Sequence, residues 1–178
     1  MTPKDRKELL DVIGLQGKRC AEIGVYKGDF AAEILKRRPA HLFLIDPWKQ
    51  QPTMEYYDAA NESQENFDQI YASVYERFKD EPASMMRLFS HEAVQHFDTR
   101  TLDFVWIDGN HTFAHTLYDM SVWSQKIKRG GWLCVHDFGG GSHFYGVRQA
   151  VNEFCKVTGN EIEYVCADLW AAAAIRIK

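Results

Sequence analysis

The chain has 178 residues, 46% of them hydrophobic, and a formal net charge of -4. That is enough for one domain with a core of its own and too little for two, and neither disulfides nor a structural metal are needed to hold it. The near balance of charge, without a long basic run, argues against a protein built mainly to bind nucleic-acid backbones and favours a small-molecule partner.

In chain order, Met1 to Lys7 is charged and only a short apolar stretch follows it, which matches neither a signal peptide nor a membrane span. A soluble, cytoplasmic protein without membrane attachment is expected. Residues 1–13 are predicted to form a leading helix, with a turn to residue 17. Apolar runs suited to buried strands recur at 19–24, 41–46, 85–89, 103–108 and 132–137. Between them lie helical stripes at spacings of three and four: Phe30, Ile34 and Leu35; Phe67, Ile70, Tyr71, Val74 and Phe78; Leu117, Met120, Trp123 and Ile127. Gly130-Gly131 is expected to end the last of these helices.

The alternation is that of βαβ units around a parallel sheet, an α/β fold. Residues 161–165 and 170–177 are predicted as two closing strands joined by a turn at Cys166-Ala167-Asp168, an antiparallel hairpin at the far edge. Residues 49–63, polar and containing Pro52, read as a loop or lid, with Tyr56 and Tyr57 placed to fold over an acceptor as an aromatic lid and Gly139 to Ser142 as a hinge. Cys20, Cys134, Cys155 and Cys166 form no C-x-x-C pair and read as free thiols. Trp170 or the leading helix could mediate a homo-oligomer.

In open parallel sheets ligands sit beyond the carboxyl ends of the strands, so the residues ending each apolar run carry most weight. The first run ends Ala21-Glu22-Ile23-Gly24-Val25-Tyr26-Lys27-Gly28, spaced E-x-G-x-x-x-G, with glycines where backbone would approach a ligand closely. A dinucleotide fingerprint needs G-x-G-x-x-G, and aligning on Gly24 puts Glu22 and Lys27 at two of its three glycines. A carboxylate there suits a ligand with an ammonium or sulfonium charge better than a pyrophosphate. The second run ends in Asp46, about twenty residues on, where an acid can accept hydrogen bonds from ribose hydroxyls. After the third run, Ser90 can cap a helix, touch the ligand, or both. The fourth, Leu102-Asp103-Phe104-Val105-Trp106-Ile107-Asp108-Gly109-Asn110-His111, leaves Asp108 and His111 at the mouth of the sheet, and the fifth, Gly130-Gly131-Trp132-Leu133-Cys134-Val135-His136-Asp137-Phe138, leaves Asp137 beside them.

In that order these segments resemble the class I S-adenosylmethionine-dependent methyltransferases, and among them the small-molecule O-methyltransferases that include antibiotic-sugar methyltransferases. The resemblance runs from about Arg19 to the C-terminus. It implies a Rossmann-like three-layer sandwich with a seven-stranded, mostly parallel sheet whose last strand, at the edge, is reversed. It further implies that Glu22, Gly24 and Gly28 surround the amino-acid part of S-adenosylmethionine, that Asp46 holds the ribose, and that Ser90 and Glu92 meet the adenine end. In metal-dependent relatives, acids matching Asp108 and Asp137 bind magnesium and a histidine matching His111 is the base; the chain departs from the catechol-type pattern by carrying Phe138 after the second acid.

An alternative keeps Asp108 as a cofactor contact only and has Asp137 cap a helix or pair with the base. His136 reads as a hydrogen-bonded structural residue, and His143 as a loop histidine that is solvated or touches the acceptor. His111 and His115 lie four apart, but Thr112 stands where a metalloprotease needs Glu. The expected activity is methylation of a small molecule at a hydroxyl. The rivals are an NAD(P)-dependent oxidoreductase and a non-catalytic S-adenosylmethionine-binding protein.

Overall fold

The computed structural model describes residues 2–52, 60–139, 145–167 and 169–178. The elements run α1 (Arg6–Ile13), β1 (Arg19–Ile23), α2 (Asp29–Leu35), β2 (His41–Ile45), α3 (Gln64–Phe78), β3 (Ala83–Met86), a single turn α4 (Ser90–Ala93), β4 (Leu102–Ile107), α5 (Phe113–Trp123), β5 (Ile127–His136), α6 (Tyr145–Thr158), β6 (Ile162–Val165) and β7 (Ala172–Arg176). One seven-stranded sheet takes the order β3-β2-β1-β4-β5-β7-β6. All pairings are parallel except those of β7, which runs antiparallel to both β5 and β6, so the last strand in the chain is the reversed one in the expected hairpin.

Both faces of the sheet are covered, which is why its central strands read as continuous apolar runs. Alternation with period two sorts the side chains. On one face Cys20, Leu42, Leu44, Phe104, Trp106 and Cys134 pack against α1, α2 and α3 through Leu9, Leu10, Ile34, Phe67 and Val74. On the other, Val105, Ile107, Leu133, Val135 and Ile175 meet Met120 and Trp123 of α5 and Val151 and Phe154 of α6. Cys20, Cys134 and Cys166 are buried and Cys155 half-buried, all as free thiols, and burial pushes Cys20 up to about 12.

Four boundaries differ from the sequence reading, each for a local reason. The leading helix starts at Arg6, because the Asp5 side chain accepts from the backbone N–H groups of Lys7 and Glu8 and so caps it there. The third strand ends at Met86, and the apolar Leu88 and Phe89 beyond it wall a cavity instead. Gly130-Gly131 ends no helix: α5 stops at Trp123, and both glycines lie within β5, where the register against β4 shifts, Leu102 facing Ile127 and Phe104 facing Trp132. β7 begins only at Ala172, leaving Trp170 exposed at the rim of that cavity. Asp168, the proposed lid tyrosines Tyr56 and Tyr57, and the segment from Gly140 to Ser142 with His143 lie outside the described residues. The flanks of the predicted lid are tied, since Gln51 N–H donates to Asn61 Oδ1 at 3.0 Å and Asn61 Nδ2 returns a bond to the Gln51 carbonyl at 2.9 Å. Among the described residues no helix is long and apolar enough to cross a membrane.

The strand order reverses between β1 and β4, and a crevice opens at that switch point beyond their carboxyl ends. Gly24 closes the gap between them. Its φ is +87°, and a Cβ there would lie 2.0 Å from the Asp108 carbonyl oxygen. Gly24→Ala is therefore expected to lower unfolding free energy by roughly 2–4 kcal/mol, from backbone strain plus a clash that rigid neighbours cannot relieve, as read by urea denaturation.

Candidate functional site

A cavity of about 650 Å³ occupies the crevice, lined by the ends of β1, β2, β4 and β5 and by the start of α4. Glu22, Gly24, Asp46, Ser90, Asp108, His111 and Asp137 all face it, so the structure gathers seven of the nine residues named from sequence. Gly28 and Glu92 stand outside. Gly28 keeps a φ of +76° at the start of α2, and its missing side chain makes room for the Phe78 ring, 2.6 Å from where a Cβ would be. Glu92 is exposed, and its Oε2 accepts from the Phe89 backbone N–H at 2.9 Å, so it caps α4. The close approaches that demand glycine at 24 and 28 are thus to the protein's own atoms.

Glu22 is 1% exposed, placed by β1 with its neighbours Leu44 and Trp106 in register on either side. Its Oε2 has no hydrogen-bond partner among the described residues. Burial, then the nearby carboxylates of Asp108 and Asp46, push its pKa well above the usual carboxylate range, with Arg6 opposing. A buried acid kept without a partner is costly unless something else supplies one.

Asp46 stitches the first turn to the second strand. One oxygen accepts the backbone N–H groups of Val25 and Tyr26, both at 2.9 Å, and the other that of Trp48 at 2.7 Å. Both Tyr26 and Trp48 hold positive φ there, and the Trp48 indole N–H donates to the Tyr26 carbonyl at 2.9 Å. Ser90 is the first residue of α4, behind an N-cap at Phe89, so it does not cap the helix. Its hydroxyl instead donates to Asp119 Oδ1 at 2.5 Å and accepts from the Trp123 indole at 2.8 Å. Burial raises Asp119 to about 6 despite the Ser90 bond.

Beyond β4 and β5 two aspartates and two histidines interlock. His111 Nε2 lies 2.7 Å from Asp137 Oδ2 and 3.7 Å from Asp108 Oδ1. His136 Nδ1 lies 3.2 Å from Asp108 Oδ1 and 3.3 Å from Asp137 Oδ2. Desolvation disfavours the charged His111, but the carboxylates of Asp108 and Asp137 overcome it and raise the ring to about 9. The two histidines in turn hold both carboxyls below their usual range against burial. His136 feels the same upward pull from the two acids, yet its Nε2 faces Arg6 Nη1 at 3.3 Å. A guanidinium can only donate, so that nitrogen must be an unprotonated acceptor; the contact favours a neutral His136 with its proton on Nδ1 toward Asp108. Asp137 itself sits at φ +58°, a strained position for a non-glycine residue. Gly146 of α6 backs onto the His111 loop, where a Cβ would lie 2.7 Å from the His111 carbonyl.

Asp108, His111 and Asp137 offer one ligand atom each, all within 4.8 Å of one another. The two acids expected to hold magnesium are oxygen donors of the kind it takes, and they converge here on the His111 imidazole, which ion-pairs with both. The pairing of Asp137 with the histidine is the alternative the sequence left open.

Four residues here escaped sequence reasoning. Arg6, Tyr118 and Trp170 line the cavity from elements with no strand-end signature. Asp119 had a signal: with Thr116 and Trp123 it occupies the buried side of α5, and an acid on an apolar stripe is a reason to look.

The family of methyltransferase domains matches residues 21–138, which spans β1 to the residue after Asp137. No curated protein matches by sequence. Among solved structures, a candidate rRNA methylase from Clostridium thermocellum is similar at TM-score 0.67 and 13% identity, over 99% of this chain and 98% of that one. The Aeropyrum pernix fibrillarin with natively bound S-adenosyl-L-methionine is similar at 0.60 and 10%, over 92% and 68%. A candidate O-methyltransferase from Klebsiella pneumoniae is similar at 0.57 and 14%, over 96% and 76%.

Proposed function

This chain belongs to the methyltransferase-domain family, and from that premise we propose that it transfers the methyl group of S-adenosylmethionine to a hydroxyl oxygen of a small molecule. The observation that carries the reading is the buried Glu22 carboxyl, whose Oε2 has no hydrogen-bond partner among the described residues and which faces the cavity at the topological switch point. An ammonium-bearing ligand completes it, whereas a pyrophosphate would be repelled.

The residues fit the cofactor. Glu22 would take its ammonium group, Asp46 its ribose hydroxyls, and Ser90 with Asp119 would line the adenine end. When bound, S-adenosylmethionine supplies an electrophilic methyl carbon on a sulfonium. The protein's own part is to hold an acceptor hydroxyl in line, exclude water and remove a proton. His111 accepts that proton on its other ring nitrogen, Nδ1, and the imidazolium so formed is held at Nε2 by Asp137 and Asp108, the arrangement its two ion pairs already display. His136, anchored between Arg6 and Asp108, keeps the second acid oriented.

A small acceptor agrees with a cavity of about 650 Å³, sized for a nucleoside cofactor and a modest partner, and with the net charge of -4, which does not favour an RNA backbone. The test offers the protein S-adenosylmethionine with either a macromolecule-free metabolite extract or total RNA, and follows S-adenosylhomocysteine release and methylated products by mass spectrometry. Turnover with metabolites alone is expected, and turnover with RNA alone would overturn the acceptor class. A chelator is expected to leave that turnover unchanged; activity lost with chelator and restored by magnesium would return the aspartates to a metal site.

A further inference from the structure

The cofactor's amino-acid end is a zwitterion, and Glu22 answers only half of it. A site that holds the ammonium in a buried place also needs a cation for the carboxylate, or that charge stays desolvated and unpaired. Within the matched family segment the His111 imidazolium is already paired with Asp137 and Asp108. Of the lysines and arginines lining the cavity, Lys27 is exposed with its ammonium over the Tyr26 ring at 4.7 Å, and Lys49, also exposed, lies over Phe89 at 5.5 Å, beside the Leu88 and Ser90 end.

The third is Arg6, the first residue of α1, which lies outside residues 21–138. It reaches the cavity from the same face of the sheet as Glu22, and its positive charge is felt at Glu22. Its guanidinium is half-buried and fixed from two sides, 5.2 Å from the Phe30 ring centroid and by Nη1 to His136. That one bond leaves Nε and Nη2 without a hydrogen-bond acceptor among the described residues, in the planar fork geometry that suits a carboxylate.

Resting on the cofactor reading above, we propose that Arg6 binds the carboxylate of S-adenosylmethionine, so that α1 supplies the cation and β1 the anion of a clamp for the amino-acid end. α1 thereby becomes part of the binding site and not only a cover for the sheet.

Calorimetry on the intact chain separates the ideas with two probes: S-adenosylhomocysteine, which carries the amino-acid end, and 5′-methylthioadenosine, which lacks it. Arg6→Gln is expected to weaken S-adenosylhomocysteine roughly ten- to hundred-fold, the scale of a lost charge-assisted hydrogen bond, and to leave 5′-methylthioadenosine within about two-fold. Arg6→Lys is expected to recover part of the loss. Equal weakening of both probes assigns Arg6 to positioning His136 and overturns the proposal, as does an Arg6→Gln protein that binds S-adenosylhomocysteine like the parent. If the parent binds neither probe, the cofactor reading falls and this proposal with it.

Discussion

Replacing His111 with Ala is expected to reduce kcat by roughly 10²- to 10⁴-fold, the usual contribution of a positioned general base. The pH profile discriminates more sharply than the rate. A base works only when unprotonated, and the two aspartates hold His111 protonated up to about 9. The parent's rate should therefore rise tenfold per pH unit below about 9 and level off above it. Asp137→Asn removes the closer carboxylate, at 2.7 Å, and should move the inflection down toward the ordinary histidine range near 6.5. The same linkage has a sign for stability. A histidine whose folded pKa is raised stabilises the fold fully below its unfolded value, and that contribution disappears as pH climbs from about 6.5 through about 9. Thermal unfolding across that window should show the parent losing more stability than His111→Ala. A flat rate profile in the parent, or one that His111→Ala leaves in place, removes His111 from proton transfer.

Glu22→Gln should separate binding from folding. The isosteric amide keeps the volume but cannot carry charge, so affinity for S-adenosylhomocysteine should drop by roughly 1.5–3 kcal/mol, about ten- to hundred-fold. Stability should move the other way. Burial and two neighbouring acids raise the Glu22 pKa in the folded protein, so its ionisation opposes folding at any pH above its unfolded value near 4.5. In ligand-free protein at neutral pH, Glu22→Gln is expected to be at least as stable as the parent by urea denaturation. A site residue whose removal stabilises the empty protein bears the mark of a function, since nothing in packing rewards a lone carboxyl there. Loss of stability with unchanged affinity would reverse the assignment.

How far the sequence spoke for the structure depended on whether a residue's task was local. β1, β2 and β4 could be read almost to the residue because strands covered on both faces must be apolar throughout, and the polar residue that ends each run marks the crevice. The same logic failed at Leu88 and Phe89, which are apolar because they wall the cavity and not because they lie in β3. Gly130-Gly131 carried the chemistry of a chain reversal, but here it serves an irregularity inside β5, where a Gly131 Cβ would lie 2.8 Å from the Asp103 carbonyl across the sheet. Pattern alone does not distinguish these uses.

The site was legible at strand ends and illegible where a partner comes from elsewhere. Asp108, His111 and Asp137 were visible as polar residues at neighbouring mouths, but whether the two acids enclose an ion or an imidazole depends on a ring position that spacing does not encode. Arg6 at the head of a charged helix looks like any solvated arginine until the fold brings it beside His136, 130 positions away. Glu92 shows the opposite failure, since a carboxylate three residues into a helix start is also the signature of a cap, and the cap is what it forms.

The proposed activity requires that the crevice between β1 and β4 receive a zwitterionic nucleoside. Titration calorimetry of the parent chain with S-adenosylhomocysteine, and separately with NAD⁺, tests that most directly. Saturable binding of S-adenosylhomocysteine at one site per chain, without comparable heat from NAD⁺, is the predicted result; NAD⁺ binding in its place, or heat from neither, would contradict it.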